Sequence, residues 1–293
     1  MISYNSHDWF SNIFRFHKAD TFRKLLPLII FISLYSWLIA YLETEVFELS
    51  KTSHVGNIAM MHSLVSFALS MLLVFRTNTA YDRWWEGRKL WGSLVNNSRN
   101  LAIKLAAVLG PEEEDNISFF KKTIPAYASA LKNHLRYEST RTELFEDKAG
   151  SPLHDIDHGK HVPNQIAGLM IRRIIDLNKS GKITGEQLII LNEELQSFTE
   201  ICGGCERIKN TPIPYSYSVF LKKFIFIYIM TLPIGYVVSL GYIVIPVVAF
   251  IFYVLASLEL IAEEIEDPFG GDPNDVPTDK LAENIHHHVN EIL

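Results

Sequence analysis

The chain has 293 residues, 27 of them basic and 33 acidic, for a net charge of -6. That balance supplies no basic stripe for a phosphate backbone and argues against nucleic acid as a partner. Two cysteines, Cys202 and Cys205, exclude a disulfide framework, and a mean hydropathy of +0.11 resembles a soluble protein only until charge is mapped along the chain.

Residues 1–24 mix polar and aromatic side chains with Arg15, Lys18, Arg23 and Lys24. They show no apolar core followed by a small-residue cleavage site, so the segment reads as a cytoplasmic lead-in and not a signal peptide. Leu25–Leu42 then gives 18 uncharged residues, and Asn57–Phe75 gives 19 with His62 as its one titratable side chain. Each is long enough to span a bilayer. Further on, Phe224–Leu258 runs for 35 residues without Asp, Glu, Lys or Arg. As a helix it would be about 50 Å long, too long for one ~30 Å crossing and suited to two. Gly235 and Ser239–Gly241 lie where such a hairpin can turn. A Lys or Asp at a helix centre costs ~2.5–3.5 kcal/mol on insertion, so four spans free of charge predict an integral membrane protein. Pro27, Pro233 and Pro246 do not oppose this, because membrane helices tolerate proline.

Basic residues orient the spans. Arg15, Lys18, Arg23 and Lys24 precede the first, Arg76, Arg83, Arg88 and Lys89 follow the second, and Lys222 and Lys223 open the third; the connection Glu43–Gly56 holds only Lys51. The positive-inside rule puts both termini and the long middle segment in the cytoplasm. The expected division is 1–24 as a cytoplasmic segment, 25–78 as membrane helices one and two, 79–218 as a cytoplasmic helical region, 219–262 as membrane helices three and four, and 263–293 as an acidic cytoplasmic end.

Within the middle segment, Thr79 reads as the cap of a helix whose Tyr81, Trp84, Arg88 and Trp91 share one face. That face is either an interfacial or pore-supporting surface or a set of indoles packed in a helical core. A second helix is expected over Asn116–Tyr137 with Pro125 as a kink, a polar loop over Thr140–His161, and further helices over Asn164–Asn178 and Glu186–Ile208. Thr184 and Gln187 form a capping box at the start of the last, and Thr211-Pro212-Ile213-Pro214 ends it. Cys202-Gly203-Gly204-Cys205 has redox or zinc spacing without a second ligand pair. His286-His287-His288 offers either metal ligands or a solvated tail. No nucleophile elbow or phosphate loop is visible, so the chain is not read as an enzyme.

Three phrases carry a resemblance: Phe75-Arg76-Thr77-Asn78-Thr79-Ala80-Tyr81-Asp82-Arg83-Trp84-Trp85-Glu86; Gly203-Gly204-Cys205-Glu206-Arg207 leading to Thr211-Pro212-Ile213-Pro214-Tyr215; and Glu263-Glu264-Ile265-Glu266-Asp267-Pro268-Phe269-Gly270 with Asn274-Asp275. In this order, with the span pattern, the chain resembles the bestrophin family in its bacterial form. The resemblance implies an all-α membrane protein of the bacterial inner membrane, with four transmembrane helices and a cytoplasmic helical vestibule per subunit. It further implies assembly as a homopentamer around a central pore that passes small monovalent ions. The family's hydrophobic neck carries over to Phe67, Met71 and Phe75 on the second span, whose i, i+4, i+8 spacing keeps them on one slowly drifting face. Five copies would make apolar rings able to gate by dewetting. Ser63, Ser66 and Ser70 form a stripe of small residues suited to an interhelical seam.

The family's cytosolic aperture carries over to the region of Glu186. A ring of five carboxylates there would favour cations over anions; alternatively Glu186 complements its own helix N-terminus and Ile183 supplies the aperture. The calcium clasp of animal members carries over to Glu264, Asp267, Asp272 and Asp275, hard oxygen donors suited to Ca²⁺. Pro273 and Asn274 interrupt it, so no cofactor is required and a structural turn is the alternative. A secondary transporter, or a membrane-anchored receptor or scaffold, are the competing functions. The first would normally show an internal repeat, and the second needs no pore.

Overall fold

The computed structural model describes residues 21–48, 58–110, 112–136 and 153–293, and among these every regular element is a helix, with no strand. The elements are α1 (Thr21–Tyr41), a π-helical turn (Leu42–Val46), α2 (Ile58–Val108), α3 (Glu114–Arg136), α4 (Val162–Lys179), α5 (Gly185–Asn210), α6 (Tyr215–Leu240), a 3-10 turn (Gly241–Ile243), α7 (Val244–Glu266) and α8 (Thr278–Ile292). The expectations for Arg15, Lys18 and Lys51, and for the polar loop up to residue 152, lie outside the described residues.

The chain forms two compact units. Among the described residues, the first comprises 21–48, 58–83 and 212–266, the second 84–110, 112–136, 153–211 and 267–293. The divisions fall two to three turns beyond the uncharged runs, and charged side chains flanking those runs pair with one another inside the first unit. Lys24 pairs with Glu264, and Lys222 Nζ lies 2.8 Å from Glu263.

In the first unit the inward faces of α1, α2, α6 and α7 build one core around Ile32, Leu69, Leu73, Leu221, Ile229, Leu232, Val244 and Val248. Side chains such as Leu28, Ile30, Phe31, Leu34, Phe226, Ile227 and Phe250 point outward and are exposed. A water-soluble fold would not leave so much contiguous apolar surface. Among the described residues, Thr21–Val46, Met61–Val108 and Tyr215–Glu266 are long and apolar enough to cross a membrane. The last is folded back on itself, α6 packing on α7. The turn comes at Gly241, whose φ of 56° suits a residue without Cβ; Gly235 lies buried within α6. The protein is therefore a membrane protein. Backbone carbonyls and hydroxyls knit the helices: Tyr35 Oη donates to Met230 O at 3.0 Å and Tyr217 Oη to Leu72 O at 3.2 Å.

The stretch after the second span departs from expectation. Thr79 does not cap a new helix; α2 continues unbroken for 51 residues, about 77 Å at 1.5 Å per residue. The polar run Arg76-Thr77-Asn78-Thr79 stays helical because Thr77 Oγ1 and Thr79 Oγ1 donate back to Leu73 O and Phe75 O, at 2.7 and 2.9 Å. Threonine in mid-helix satisfies itself this way.

In the second unit the C-terminal part of α2 joins α3, α4, α5 and α8 around Trp91, Leu101, Phe120, Tyr127, Met170, Phe198, Phe269 and Ile285. Trp91 is wholly buried while Tyr81 and Trp85 are exposed, so the aromatic face serves core packing at Trp91. Pro125 lies inside α3 without ending it. The capping box is present: Thr184 Oγ1 accepts from Gln187 N at 3.2 Å and Gln187 Oε1 accepts from Thr184 N at 2.8 Å. After Asp267, Pro268-Phe269-Gly270 turns the chain, closed by Val276 N donating to Pro268 O at 2.9 Å.

Candidate functional site

The first unit presents one long apolar stripe that its own core does not use. On α2, Leu69, Leu73, Arg76 and Ala80 are buried, at 2% exposure or less. On the opposite face Phe67 is 73%, Met71 51% and Phe75 54% exposed, with Met61, Leu64 and Val74 alongside. Successive members are about 6 Å apart along the axis and the three drift by about 80° around it. Copies about a symmetry axis would stack them as separate apolar rings. Ser66 is part-buried, its hydroxyl donating to Ser63 O at 2.9 Å, while Ser63 and Ser70 remain exposed.

Phe75 and Arg76 are neighbours in sequence, about 100° apart around α2, with Phe75 exposed and Arg76 turned into the core. The Arg76 guanidinium is 1% exposed; its Nη2 lies 2.7 Å from Glu266 Oε2 and its Nε 3.4 Å from Glu259 Oε2. Glu266 is the meeting point of the sequence phrases. Its Oε1 accepts from Ile213 N at 2.7 Å and its carbonyl accepts from Arg83 Nε at 3.0 Å. Sequence reasoning missed this cluster, although Arg76, Arg83, Ile213 and Glu266 all lie within the quoted phrases.

In the second unit Glu186 is exposed on the first turn of α5. Its own backbone N–H and the Thr184 hydroxyl hold the carboxyl below the usual range against a small burial effect, so it carries its charge at neutral pH. Ile183 is 3% exposed and packs inside the unit, so its side chain is not available to line an opening. The exposed apolar side chains near Glu186 are Ile189 and Ile190, one turn on, at 69% and 49%. Their signal was the Leu188-Ile189-Ile190-Leu191 run, which has more apolar residues than a single buried face needs.

Three of the four carboxylates carried over for calcium have partners in the structure. Glu264 pairs with Lys24, Asp267 Oδ2 lies 2.5 Å from Lys209 Nζ, and Asp275 Oδ2 accepts from Asp272 N at 2.8 Å. Among the described residues of the second unit, Asp267, Asp272 and Asp275 do not form a group of donor atoms within 4.8 Å of one another. Cys202 and Cys205 are free and buried. Burial, then the charge of Glu206, pushes the Cys202 thiol up to about 12; burial pushes Cys205 higher still. Both are therefore inert thiols and not redox centres.

One cluster is invisible to local sequence. His134 Nε2 and His161 Nε2 each lie 2.7 Å from the same oxygen, Glu206 Oε1. Burial would raise the Glu206 carboxyl, but hydrogen bonds from His161 and His134 outweigh it and hold the group below its usual range.

The family model described as bacterial/fungal bestrophin protein matches residues 1–291. A voltage-dependent anion channel-forming protein of Nostoc sp. is 37% identical over 231 residues, covering 78% of this chain and 75% of its own. A protein of the same description from Mesorhizobium japonicum is 32% identical, covering 93% of this chain and 86% of its own. The crystal structure of a bacterial bestrophin homolog from Klebsiella pneumoniae, a point variant, superposes with a TM-score of 0.82 at 26% identity, covering 92% of this chain and 98% of that one.

Proposed function

This chain belongs to the bacterial and fungal bestrophin family, and from that premise we propose that it forms a homopentameric ion channel in the bacterial inner membrane. α1, the membrane half of α2, α6 and α7 are its four crossings, and both termini are cytoplasmic. The observation that carries this reading is the stripe Phe67, Met71 and Phe75, apolar and exposed on the face of α2 opposite the unit's core. Five such stripes around an axis give a neck that excludes ions until it wets. The unbroken α2 supports a channel over a secondary transporter, whose binding helices are typically discontinuous.

Glu186 supports a preference for monovalent cations, since its ionised carboxylate, repeated five times at the cytosolic aperture, attracts them. The names of the relatives from Nostoc and Mesorhizobium favour the opposite sign, anions. Reversal potentials in planar bilayers under a salt gradient separate the two. We expect Glu186→Gln to move the reversal potential toward anions, and a parent channel already anion-selective and insensitive to this change would overturn the cation reading. Light scattering in detergent should give the mass of five chains; a monomer would overturn the channel.

A further inference from the structure

We propose that His134, His161 and Glu206 form a binding site for a divalent transition-metal ion of the zinc type. The three side chains come from separate places in the second unit: His134 from the last turn of α3, His161 from the residue before α4, and Glu206 from α5. Their ligating atoms lie within 4.8 Å of one another, and the imidazole centroids are 4.4 Å apart. In a tetrahedral zinc site, with bonds near 2.0–2.2 Å, neighbouring donor atoms are roughly 3.3 Å apart. The present 2.7 Å contacts need open by only a fraction of an ångström to admit an ion.

Two imidazoles and one carboxylate select for zinc, cobalt, nickel or copper over calcium or magnesium, which prefer all-oxygen shells. Three protein ligands leave a fourth position for water. Each side chain is about one-third exposed, His134 at 33% and His161 and Glu206 at 30%, so an ion has a path in from solvent. Glu206 already carries the negative charge a cation needs.

The cost of binding is visible too. His161 Nδ1 caps α4 by accepting from Asn164 N at 3.2 Å, so without metal its proton sits on Nε2 and is donated to Glu206 Oε1. Coordination through Nε2 requires that proton to leave and Nδ1 to become protonated, which ends the cap. Losing a cap weakens the metal affinity by roughly fivefold and by no more than about thirtyfold, leaving a three-ligand site in a measurable range. A bound ion would join α3, α4 and α5, and so stiffen the second unit.

The test uses the full chain in detergent with His286→Ala and His287→Ala as background, because those exposed imidazoles on α8 could bind metal by themselves. Titrated with cobalt(II), this protein should take up one ion per chain and develop the intense visible absorption of a tetrahedral site. Zinc(II) should compete for it and raise the melting temperature. Glu206→Gln and His134→Gln, which keep hydrogen-bonding shape, should each lose at least tenfold in affinity while keeping the metal-free melting temperature and elution volume. Undiminished binding in both variants, or no saturable binding in the parent, would overturn the site. Should either variant misfold, X-ray absorption of the zinc-loaded background protein decides: two imidazoles with oxygen support the site, and any other imidazole count overturns it.

Discussion

Arg76 places a full charge inside the first unit, where the carboxylates of Glu259 and Glu266 face it. Removing one partner of a buried ion pair strands the others, at a cost of roughly 3–5 kcal/mol. Arg76→Ala should therefore lower detergent-phase unfolding stability by about that amount, read by denaturant titration. The triple change Arg76→Met, Glu259→Gln, Glu266→Gln should recover part of it, since no charge is then left unpaired. Asp279 is the opposite case, an exposed carboxylate at 63% held between Arg136 Nη2 at 2.7 Å and Lys132 Nζ at 2.9 Å. The Arg136 hydrogen bond, then that of Lys132, lowers its pKa to about 2 against burial. A depressed folded-state pKa means stability that is present above the ordinary value near ~3.9 and lost as pH falls from there through about 2. Solvent screening limits this contribution to about 1 kcal/mol or less. Asp279→Asn should flatten the acid limb of the stability profile over that window; an unchanged limb would remove Asp279 as its cause.

At the scale of elements, α2 meets its neighbours through glycines. A Cβ on Gly87 would sit 2.9 Å from the ring of Phe269, which is 1% exposed, and one on Gly204 would sit 3.0 Å from a methyl of Leu90. Alanine gains up to ~1 kcal/mol of helix propensity at either position. A buried ring gives way less readily than a leucine terminus, and overpacking costs ~1–3 kcal/mol. Gly87→Ala should therefore melt below the parent and below Gly204→Ala, with Gly204→Ala close to the parent. The helices themselves were largely legible, because uncharged runs and the Thr184–Gln187 box are local signals. The continuity of α2 was not. Thr79 before an aromatic run looks like a cap, and only the back-bonded hydroxyls of Thr77 and Thr79 show why it is none. The cluster at Glu206 was illegible for another reason: its histidines are 72 and 45 positions away in sequence, and only the packing of α3, α4 and α5 brings them together.

At the scale of the whole molecule, the expected neck residues were named by resemblance, whereas their exposure is a property of the fold. Periodicity alone could not have told the free face of α2 from the buried one, since Leu69 and Leu73 are as apolar as Phe67 and Met71. Of the two residues named for an aperture, Ile183 is buried and Glu186 is exposed, with Ile189 and Ile190 as exposed neighbours that the resemblance did not name. Narrowing side chains that touch nothing in their own subunit's core can be shortened at little cost to that core. Phe67→Ala, Met71→Ala and Phe75→Ala should together raise ion flux into liposomes severalfold while leaving the elution volume in detergent unchanged. Unaltered flux in a correctly assembled protein would move the constriction elsewhere.

The uninterrupted α2 is also a torsion shaft. Proline and bulged turns let a helix bend and dissipate twist, and its 51 residues contain no proline. Within the first unit, a few degrees of rotation imposed at Arg83 would therefore reach Phe67 as rotation. In the proposed pentamer, an axle of this kind would turn the face that carries Phe67, Met71 and Phe75, as the blades of an iris turn, rather than draw it outward.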